Sequence, residues 1–330
     1  MVSVHLDLQL SSLFDDVHTY LYKEIFPKAG WTDTYSAIDA IKQLNAQTPH
    51  GTLLPLLTCG IVGGDIYQAI PLAAAWVLYD IASDVFDDIQ DGDGKERPWN
   101  SWAASRAMNV GVQLLGGAQQ CLGCLRGING AQQEIIEQCG GVLKQAARDQ
   151  NLVAPTPFGQ HGLENYLRQL LTKSGEIFAC IARSGTRLHT DDPRSLTAIY
   201  SYGQSLGIMI QLVDDCRDLS PAIVKSDLEN GHYTLPVLYG LSQTAHPLHG
   251  QLTDLLASST VLSDTDAERV CDILTEMEGL NHAFYLIHGY QAKAIDALQK
   301  FPQGDYRELL EQYVTSFDFL SPTTFALAAH

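Results

Sequence analysis

A run of aspartates is the first feature of this sequence that could do chemistry. The segment from Asp80 to Asp93, DIASDVFDDIQDGD, holds six aspartates and no lysine or arginine. On an α-helix, five of them would share one face: Asp80, Asp84, Asp87, Asp88 and Asp91. Carboxylates at this spacing repel each other by roughly 0.2–0.5 kcal/mol per pair. A bound cation would offset that repulsion, and hard carboxylate oxygens favour Mg²⁺. The alternative is a solvated acidic helix end.

A second acidic cluster repeats the spacing of the first. Residues 211–218 read QLVDDCRD, and Asp214, Asp215 and Asp218 follow the same D-D-x-x-D pattern as Asp87, Asp88 and Asp91. Two acidic walls could hold several Mg²⁺ ions, which would attract a diphosphate that neither wall could bind unaided. Such ions would also stabilise negative charge on a departing diphosphate.

The elements that carry both clusters are predicted to be helices. Apolar residues recur at three- and four-residue spacing through most of the chain, and alternating β-branched runs are missing from the sequence. The predicted helical stretches are 6–25, 69–89, 105–125, 132–147, 163–188, 195–219, 267–274 and 283–298. We therefore expect an all-α fold in a single domain over residues 1–330, with two helical lobes as the alternative.

Composition narrows the range of functions. The chain has 330 residues, with 38 Asp and Glu against 20 Lys and Arg and a formal charge of −18, which argues against nucleic acid as a partner. It has no run of eighteen apolar residues and no basic, then apolar, N-terminal leader, so we expect no membrane span and no secretory signal. Seven cysteines, an odd number, indicate a reduced, cytoplasmic protein.

These motifs together resemble the trans-isoprenyl diphosphate synthases and their terpene-synthase relatives. The resemblance runs roughly from residue 49 to residue 239 and rests on four ordered segments: 87–91, 173–179, 211–218 and 227–236. It implies a class I helical bundle around a central cavity, a homodimer, and a substrate among the allylic isoprenyl diphosphates. It also implies three Mg²⁺ ions, with Mn²⁺ as an alternative, held by Asp87, Asp88, Asp91, Asp214, Asp215 and Asp218.

The sequence departs from the family pattern at the positions where condensing members bind a second diphosphate. Condensing members of the family bind isopentenyl diphosphate with a basic segment, and the matching stretch here, 49–55, reads PHGTLLP. Asp80 stands where the family has histidine or glutamine, and Arg97 is the one arginine that could remain from a downstream basic pair. Because diphosphate oxygens need charged donors, this acceptor site is predicted to be lost.

The expected function is therefore that of a terpene synthase. An allylic substrate, farnesyl or geranylgeranyl diphosphate, would ionise and then cyclise, rearrange or capture water. The alternatives are a prenyltransferase that uses isopentenyl diphosphate or another acceptor, a non-catalytic subunit of a synthase, and a Ca²⁺-binding helical module. The resemblance assigns catalysis to the aspartates Asp87, Asp88, Asp91, Asp214 and Asp218 and to Lys173.

Substrate contacts are predicted for a further set of residues. Lys173 is expected to hold the allylic diphosphate, with polar contacts from Gln211, Arg97 and Lys225. Aromatic faces can stabilise a carbocation, so candidate walls of the pocket are Trp76, Tyr79, Phe86 and Phe178. For each aromatic, plain core packing is the alternative.

Overall fold

Helices are the regular elements of the described chain. The structure is a computed structural model that describes residues 4–27, 30–46, 49–91, 97–128, 130–151, 162–229, 231–257 and 262–316. These ranges contain no strand, which confirms the all-α prediction. The α-helices are α1 (Val4–Tyr20), α2 (Thr32–Asn45), α3 (His50–Gly60), α4 (Ile70–Asp91), α5 (Ala104–Gly123), α6 (Ala131–Asn151), α7 (Gly162–Leu170), α8 (Glu176–Arg187), α9 (Pro193–Arg217), α10 (Pro221–Glu229), α11 (Leu235–Ser242), α12 (His249–Ala257), α13 (Asp264–Glu276), α14 (Gly279–Leu298) and α15 (Asp305–Thr315).

Short helical turns of other types complete the set. Two turns of 3₁₀-helix lie at Ile66–Ala69 and Pro98–Ser101, and two wider π-helical turns lie at Leu21–Ile25 and Leu171–Gly175. The second π turn joins α7 to α8 without a break, so one helical rod runs from residue 162 to residue 187.

The predicted helical stretches all fall on observed helices, but several helices were missed. Helix α3 is the clearest case: its residues 52–60 are all buried, so it lacks a polar face and shows no amphipathic period. Pro55 inside it also argues against a helix when the sequence is read alone.

The chain divides into two compact units. Unit 1 comprises residues 1–140, 180–200 and 298–311, and unit 2 comprises residues 141–179, 201–297 and 312–330. Compactness of a unit does not show whether it folds alone, so the single domain over residues 1–330 stays a prediction.

In unit 1, α4 packs against α1, α3 and α5. Its buried residues Leu72, Leu78 and Ile81 have no exposed surface. Helix α8 approaches α3 closely at Gly185, where an added Cβ would lie 2.3 Å from the Pro55 carbonyl oxygen. The apolar face of α4 is thereby fixed inside unit 1, and its acidic face is directed away from that core.

In unit 2, buried apolar side chains from α10, α11, α12 and α13 form one core. It consists of Val224, Val237, Leu252, Val270, Ile273, Leu274 and Met277. Helix α11 packs against α7, α12 and α13, so the start of α11 is held beside the helical rod that begins at α7.

Within the described residues, one helical stretch, Ile66–Gln90, is long and apolar enough by composition to cross a membrane. In its most apolar window, 67% of the residues are buried inside the protein. A buried core helix passes the same length test, so this stretch is weak evidence for a membrane span.

Candidate functional site

Helix α4 presents the first acidic cluster. The helix is preceded by a 3₁₀ turn in which the Asp65 side chain accepts a hydrogen bond from the Tyr67 backbone N–H at 3.1 Å. Leu78, Ile81 and Val85 lie fully buried along one side of α4. Because a helix turns by about 100° per residue, the aspartates between them fall on the other side.

Asp80 and Asp84 form a half-buried acidic pair with one arginine. Arg97 Nη2 lies 3.6 Å from Asp84 Oδ2. Burial raises the pKa of Asp80 to about 6, against the opposing charge of Arg97. Burial, followed by the charge of Asp80, raises the pKa of Asp84 to about 7. The charge of Arg97 is therefore shared by two carboxyl groups.

Asp88 is held by the segment that follows the first motif. The Trp99 indole N–H donates to Asp88 Oδ2 at 2.5 Å, and the Asn100 side-chain amide donates to the same oxygen at 3.3 Å. The Arg97 guanidinium lies 5.7 Å from the centroid of the Trp99 ring. Residues 97–100 thus hold the C-terminal end of α4 through Asp84 and Asp88.

The other two aspartates of the first motif differ in what the structure describes. Asp87 is half-buried on α4. Asp91 is the last residue of α4, and its side chain lies outside the described residues. Both are predicted metal ligands, and the structure gives a side-chain position for Asp87.

Two of the aromatic residues on α4 pack against α5. The Tyr79 side chain is buried, and its hydroxyl accepts a hydrogen bond from Gln119 at 2.6 Å. A Cβ added at Gly111 would lie 2.6 Å from the Phe86 ring, so Phe86 covers Gly111. These contacts favour core packing for Tyr79 and Phe86 over the predicted substrate contact. Trp76 is half-buried, and its substrate contact stays a prediction.

Lys173 lies in the π-helical turn of unit 2. The turn spans Leu171–Gly175, and π-helical turns inside α-helices often occur at functional sites. Helix α9 approaches this turn closely: an added Cβ at Gly207 would lie 2.4 Å from the Ser174 carbonyl oxygen and 2.9 Å from Phe178 Cβ. Phe178 therefore packs over Gly207, while its side chain is half-buried.

Asp214 and Asp218 mark the end of α9. Burial raises the pKa of Asp214, although Arg217 Nη1 lies 3.1 Å from Asp214 Oδ1 and opposes the shift. Burial, followed by the charge of Asp227, raises the pKa of Asp218 to about 6. Burial is the main cause of both shifts, and the charge of Asp227 adds to the one at Asp218, so a bound cation that favours the ionised carboxylates would relieve both.

Asp215 accepts three hydrogen bonds inside the protein. Tyr166 donates to Asp215 Oδ2 at 2.5 Å, the Leu235 backbone N–H donates to the same oxygen at 2.8 Å, and Gln211 donates to Oδ1 at 3.2 Å. The Asp215 residue is 4% exposed. Thr234 precedes α11 without a side-chain cap, so Asp215 supplies the acceptor that a helix start needs. This geometry is at odds with the predicted metal ligation by Asp215.

The two remaining polar predictions have protein partners. Gln211 accepts a hydrogen bond from Ser174 at 3.2 Å and donates to Asp215, so its amide is used within unit 2. Lys225 Nζ lies 2.7 Å from Asp264 Oδ1 on α13. Both side chains thus have partners within the protein, and their contact with a diphosphate stays a prediction.

The donor sets fit a hard divalent cation at open sites. Among the described residues, no three His, Cys, Asp or Glu side chains converge on one point as a closed ligand set. Asp214 and Asp218 nevertheless bring two partly buried carboxyl groups with raised pKa values to one helix end. A cation there would keep open positions for water or for the oxygens of a phosphorylated ligand.

Sequence reasoning missed Trp99, Asn100, Tyr166 and Ser174. Trp99 and Asn100 follow the first motif at no fixed helical spacing, and Tyr166 lies far from Asp215 along the chain. The one available signal was the tryptophan in a polar segment, because a buried indole N–H needs an acceptor.

Comparison with known proteins identifies the family. The profile of the family described as "Polyprenyl synthetase" matches residues 51–277. Heptaprenyl diphosphate synthase component 2 of Bacillus subtilis is 26% identical over 253 residues, which cover 74% of this chain and 69% of that protein. Geranylgeranyl diphosphate synthase of Mycobacterium tuberculosis is 25% identical over 237 residues, which cover 67% of this chain and 65% of that protein.

Solved structures agree on the fold. The polyprenyl synthase of Caulobacter crescentus, solved with calcium and isoprenyl diphosphate, gives a TM-score of 0.80 at 22% identity and covers 94% of this chain and 96% of its own. Geranylgeranyl pyrophosphate synthetase of Pyrococcus horikoshii gives a TM-score of 0.76 at 20% identity, covering 95% and 97%. The chain belongs to the polyprenyl synthetase family, as its motifs predicted, and has the helical fold of prenyl synthases.

Proposed function

We propose that this chain is a Mg²⁺-dependent prenyltransferase that joins an allylic isoprenyl diphosphate to isopentenyl diphosphate or another acceptor. The observation that carries the proposal is the repeated D-D-x-x-D motif, placed in each unit at the C-terminal end of a long helix. The named relatives support it, because those reported above are all prenyl diphosphate synthases. This proposal replaces the terpene-synthase expectation as the first choice.

In the proposed reaction, the bond between the allylic carbon and the diphosphate oxygen breaks, and diphosphate leaves with the electron pair. The acceptor's double bond then forms the new carbon–carbon bond, and the acceptor loses a proton. Asp87 and Asp91 would hold Mg²⁺, and so would Asp214 and Asp218. The bound ions would offset the charge of the departing diphosphate.

Residues of the chain itself hold the motif and the leaving group. Lys173 would donate to diphosphate oxygens as a point charge. Trp99 and Asn100 hold the carboxylate of Asp88, so the end of α4 is kept in place before a metal binds. Such preorganisation matters because a shift of about 1 Å at a reacting centre can lower the rate by about 10²-fold.

A second candidate, a terpene synthase acting on farnesyl or geranylgeranyl diphosphate, is favoured by one observation. Helix α3 contains no lysine or arginine, and its residues from Thr52 to Gly60 are buried. Helix α4 also contains no lysine or arginine, and Arg97, which follows it in the chain, has its charge shared by Asp80 and Asp84. A second diphosphate would therefore find few positive charges on α3 and α4.

Product analysis separates the two candidates. The purified chain is incubated with Mg²⁺ and geranyl, farnesyl or geranylgeranyl diphosphate, each with and without isopentenyl diphosphate. We expect a longer diphosphate that forms only with isopentenyl diphosphate and not in EDTA. A hydrocarbon or alcohol formed without that co-substrate would favour the terpene synthase, and turnover in EDTA would contradict the metal mechanism in both cases.

We also propose that the enzyme is a cytoplasmic homodimer. All seven cysteines lie in the described part of the chain and none is in a disulfide, which agrees with a reducing compartment. Two-fold dimers are the commonest oligomers of soluble proteins.

A further inference from the structure

We propose that Tyr166 is a positioning residue that holds the second acidic motif and the Lys173 turn in one fixed geometry. The proposal deepens the proposed function and rests on it, because it assigns Asp214, Asp218 and Lys173 to metal and diphosphate binding. Tyr166 itself touches neither group in this role. It acts through the carboxylate of Asp215.

The carboxylate oxygens of Asp215 are already occupied by hydrogen bonds. Its two oxygens accept from the Tyr166 hydroxyl, the Leu235 backbone N–H and the Gln211 amide, at 2.5, 2.8 and 3.2 Å. A metal at Asp215 would have to displace these donors from a residue that is 4% exposed. Asp215 therefore serves as an internal anchor.

Hydrogen bonds connect Asp215 to the helical segment on both sides of Lys173. Tyr166 lies on α7, about two helical turns before Lys173. Ser174, the residue after Lys173, donates to Gln211 at 3.2 Å, and Gln211 in turn donates to Asp215. The rod that carries Lys173 is thus tied to α9 at Tyr166 and at Ser174.

On α9, Asp215 fixes the positions of the two predicted metal ligands beside it, Asp214 and Asp218. Asp214 precedes Asp215 directly, and the Asp218 backbone N–H bonds the Asp214 carbonyl oxygen at 3.0 Å. Rotation of the helix end at Asp215 would therefore move both predicted ligands. The same carboxylate also holds the start of α11 through Leu235, so three helices meet at one side chain.

The Tyr166 hydroxyl remains a hydrogen-bond donor. Burial raises the pKa of Tyr166 well above its usual value, so the phenol keeps its proton at any working pH. A neutral donor to a buried carboxylate makes a strong, charge-assisted hydrogen bond. Removal of that donor would leave a buried carboxylate partly unsatisfied, which shifts or rotates the groups attached to it.

The test compares Tyr166→Phe with a matched variant, Tyr22→Phe. Tyr22 also donates to an aspartate, Asp39, but it lies in unit 1 outside both acidic motifs. With Mg²⁺ and an allylic diphosphate, we expect Tyr166→Phe to lower kcat at least tenfold while KM for that diphosphate changes less than twofold. Tyr22→Phe should keep kcat within twofold of the parent chain.

A binding measurement gives a readout that does not depend on turnover. Mn²⁺ is titrated by electron paramagnetic resonance into the double variant Asp87→Asn/Asp91→Asn, which removes both metal ligands proposed for the first motif, and into the triple variant that adds Tyr166→Phe. We expect at least fivefold weaker Mn²⁺ binding in the triple variant. Ser174→Ala, which removes the donor on the other side of Lys173, should lower kcat in the same direction by a smaller factor.

The outcomes are distinguishable. Unchanged Mn²⁺ binding together with kcat within twofold of the parent would overturn the role of Tyr166. An equal loss in Tyr166→Phe and Tyr22→Phe would also overturn it, because a general loss of stability would then explain both. If the parent chain turns over no allylic diphosphate, the proposed function fails, while the Mn²⁺ titration still decides whether Tyr166 positions the motif.

Discussion

Asp215 and Asp218 belong to one motif but differ in their hydrogen bonds. Burial raises the pKa of both carboxyl groups, but Asp215 accepts three hydrogen bonds that oppose its shift, whereas the charge of Asp227 adds to the shift of Asp218, whose pKa rises to about 6. A carboxylate whose lone pairs are used inside the protein is a poor metal ligand, and one under repulsion is a good one. In the first motif, Asp88 likewise accepts a hydrogen bond inside the protein, from Trp99.

Neutral isosteres of single ligand aspartates should abolish metal-dependent turnover. We expect Asp87→Asn or Asp214→Asn to lower kcat at least 100-fold, because each removes a charged oxygen from a predicted Mg²⁺ site. Steady-state kinetics with Mg²⁺ measures the change, and circular dichroism checks that helix content is kept. Asp272→Asn, at an exposed position on α13, is the matched control. A ligand variant that keeps most of its activity would refute the metal assignment.

The acidic face of α4 should make the stability of the metal-free protein depend on pH. The folded pKa of Asp84, about 7, lies above its unfolded value of about 3.9, so the folded state binds the proton more tightly. Between about pH 4 and pH 7, this group therefore contributes stability that is lost as pH rises. The lowered pKa of buried His18 acts in the opposite direction, so a comparison between variants is needed.

Melting temperatures of the parent chain and Asp84→Asn in EDTA provide that comparison. We expect the parent's melting temperature to fall relative to that of Asp84→Asn as pH rises from 4.5 to 7.5. Addition of Mg²⁺ should raise the parent's melting temperature most at the upper end of the range, where the carboxyls are ionised. Parallel curves for the two proteins would contradict this account.

Among the elements, helix α9 lies very close to the Lys173 turn at Gly207. A methyl group at Gly207 would lie 2.4 Å from a backbone oxygen, which cannot move without moving the turn. Gly207→Ala should therefore destabilise the fold by about 1–3 kcal/mol, despite alanine's better helix propensity. Activity should fall as well, because Ser174 is next to Lys173.

Gly289→Ala is the control for that substitution. Gly289 lies within α14, and nothing lies within 4 Å of an added Cβ. Alanine there should leave stability unchanged or raise it by up to about 1 kcal/mol. Denaturant unfolding and kinetics on both variants test the pair, and equal melting behaviour of the two would show that the close contact at Gly207 carries no energetic weight.

For the whole molecule, the main prediction is its oligomeric state. Met108 and Val112 lie one turn apart on α5 and are 51% and 62% exposed, although both are apolar. We expect sedimentation velocity to give the mass of two chains at micromolar concentration. Val112→Glu should shift the mass toward one chain. A single-chain mass for the parent protein would refute the homodimer.

The sequence alone determined the helical class, the two acidic motifs and the family. These depend on local spacing: a period near 3.6 predicts a helix, and D-D-x-x-D places carboxylates on one face. Helix α3 was not predicted, because a helix buried on all sides shows no amphipathic period in its sequence. The loss of basic residues around residues 49–55 was also evident from sequence, but it could not decide between a condensing and a cyclising reaction.

Tertiary structure alone decided what each polar group is bonded to. Tyr166 meets Asp215, and Lys225 meets Asp264, across long separations in the chain that no spacing rule covers. The same packing turned Tyr79 and Phe86 toward α5 and made Asp215 an anchor for α11. Sequence spacing specifies which residue types share a helix face, whereas a side chain's hydrogen bonds and desolvation depend on which other helices pack against that face.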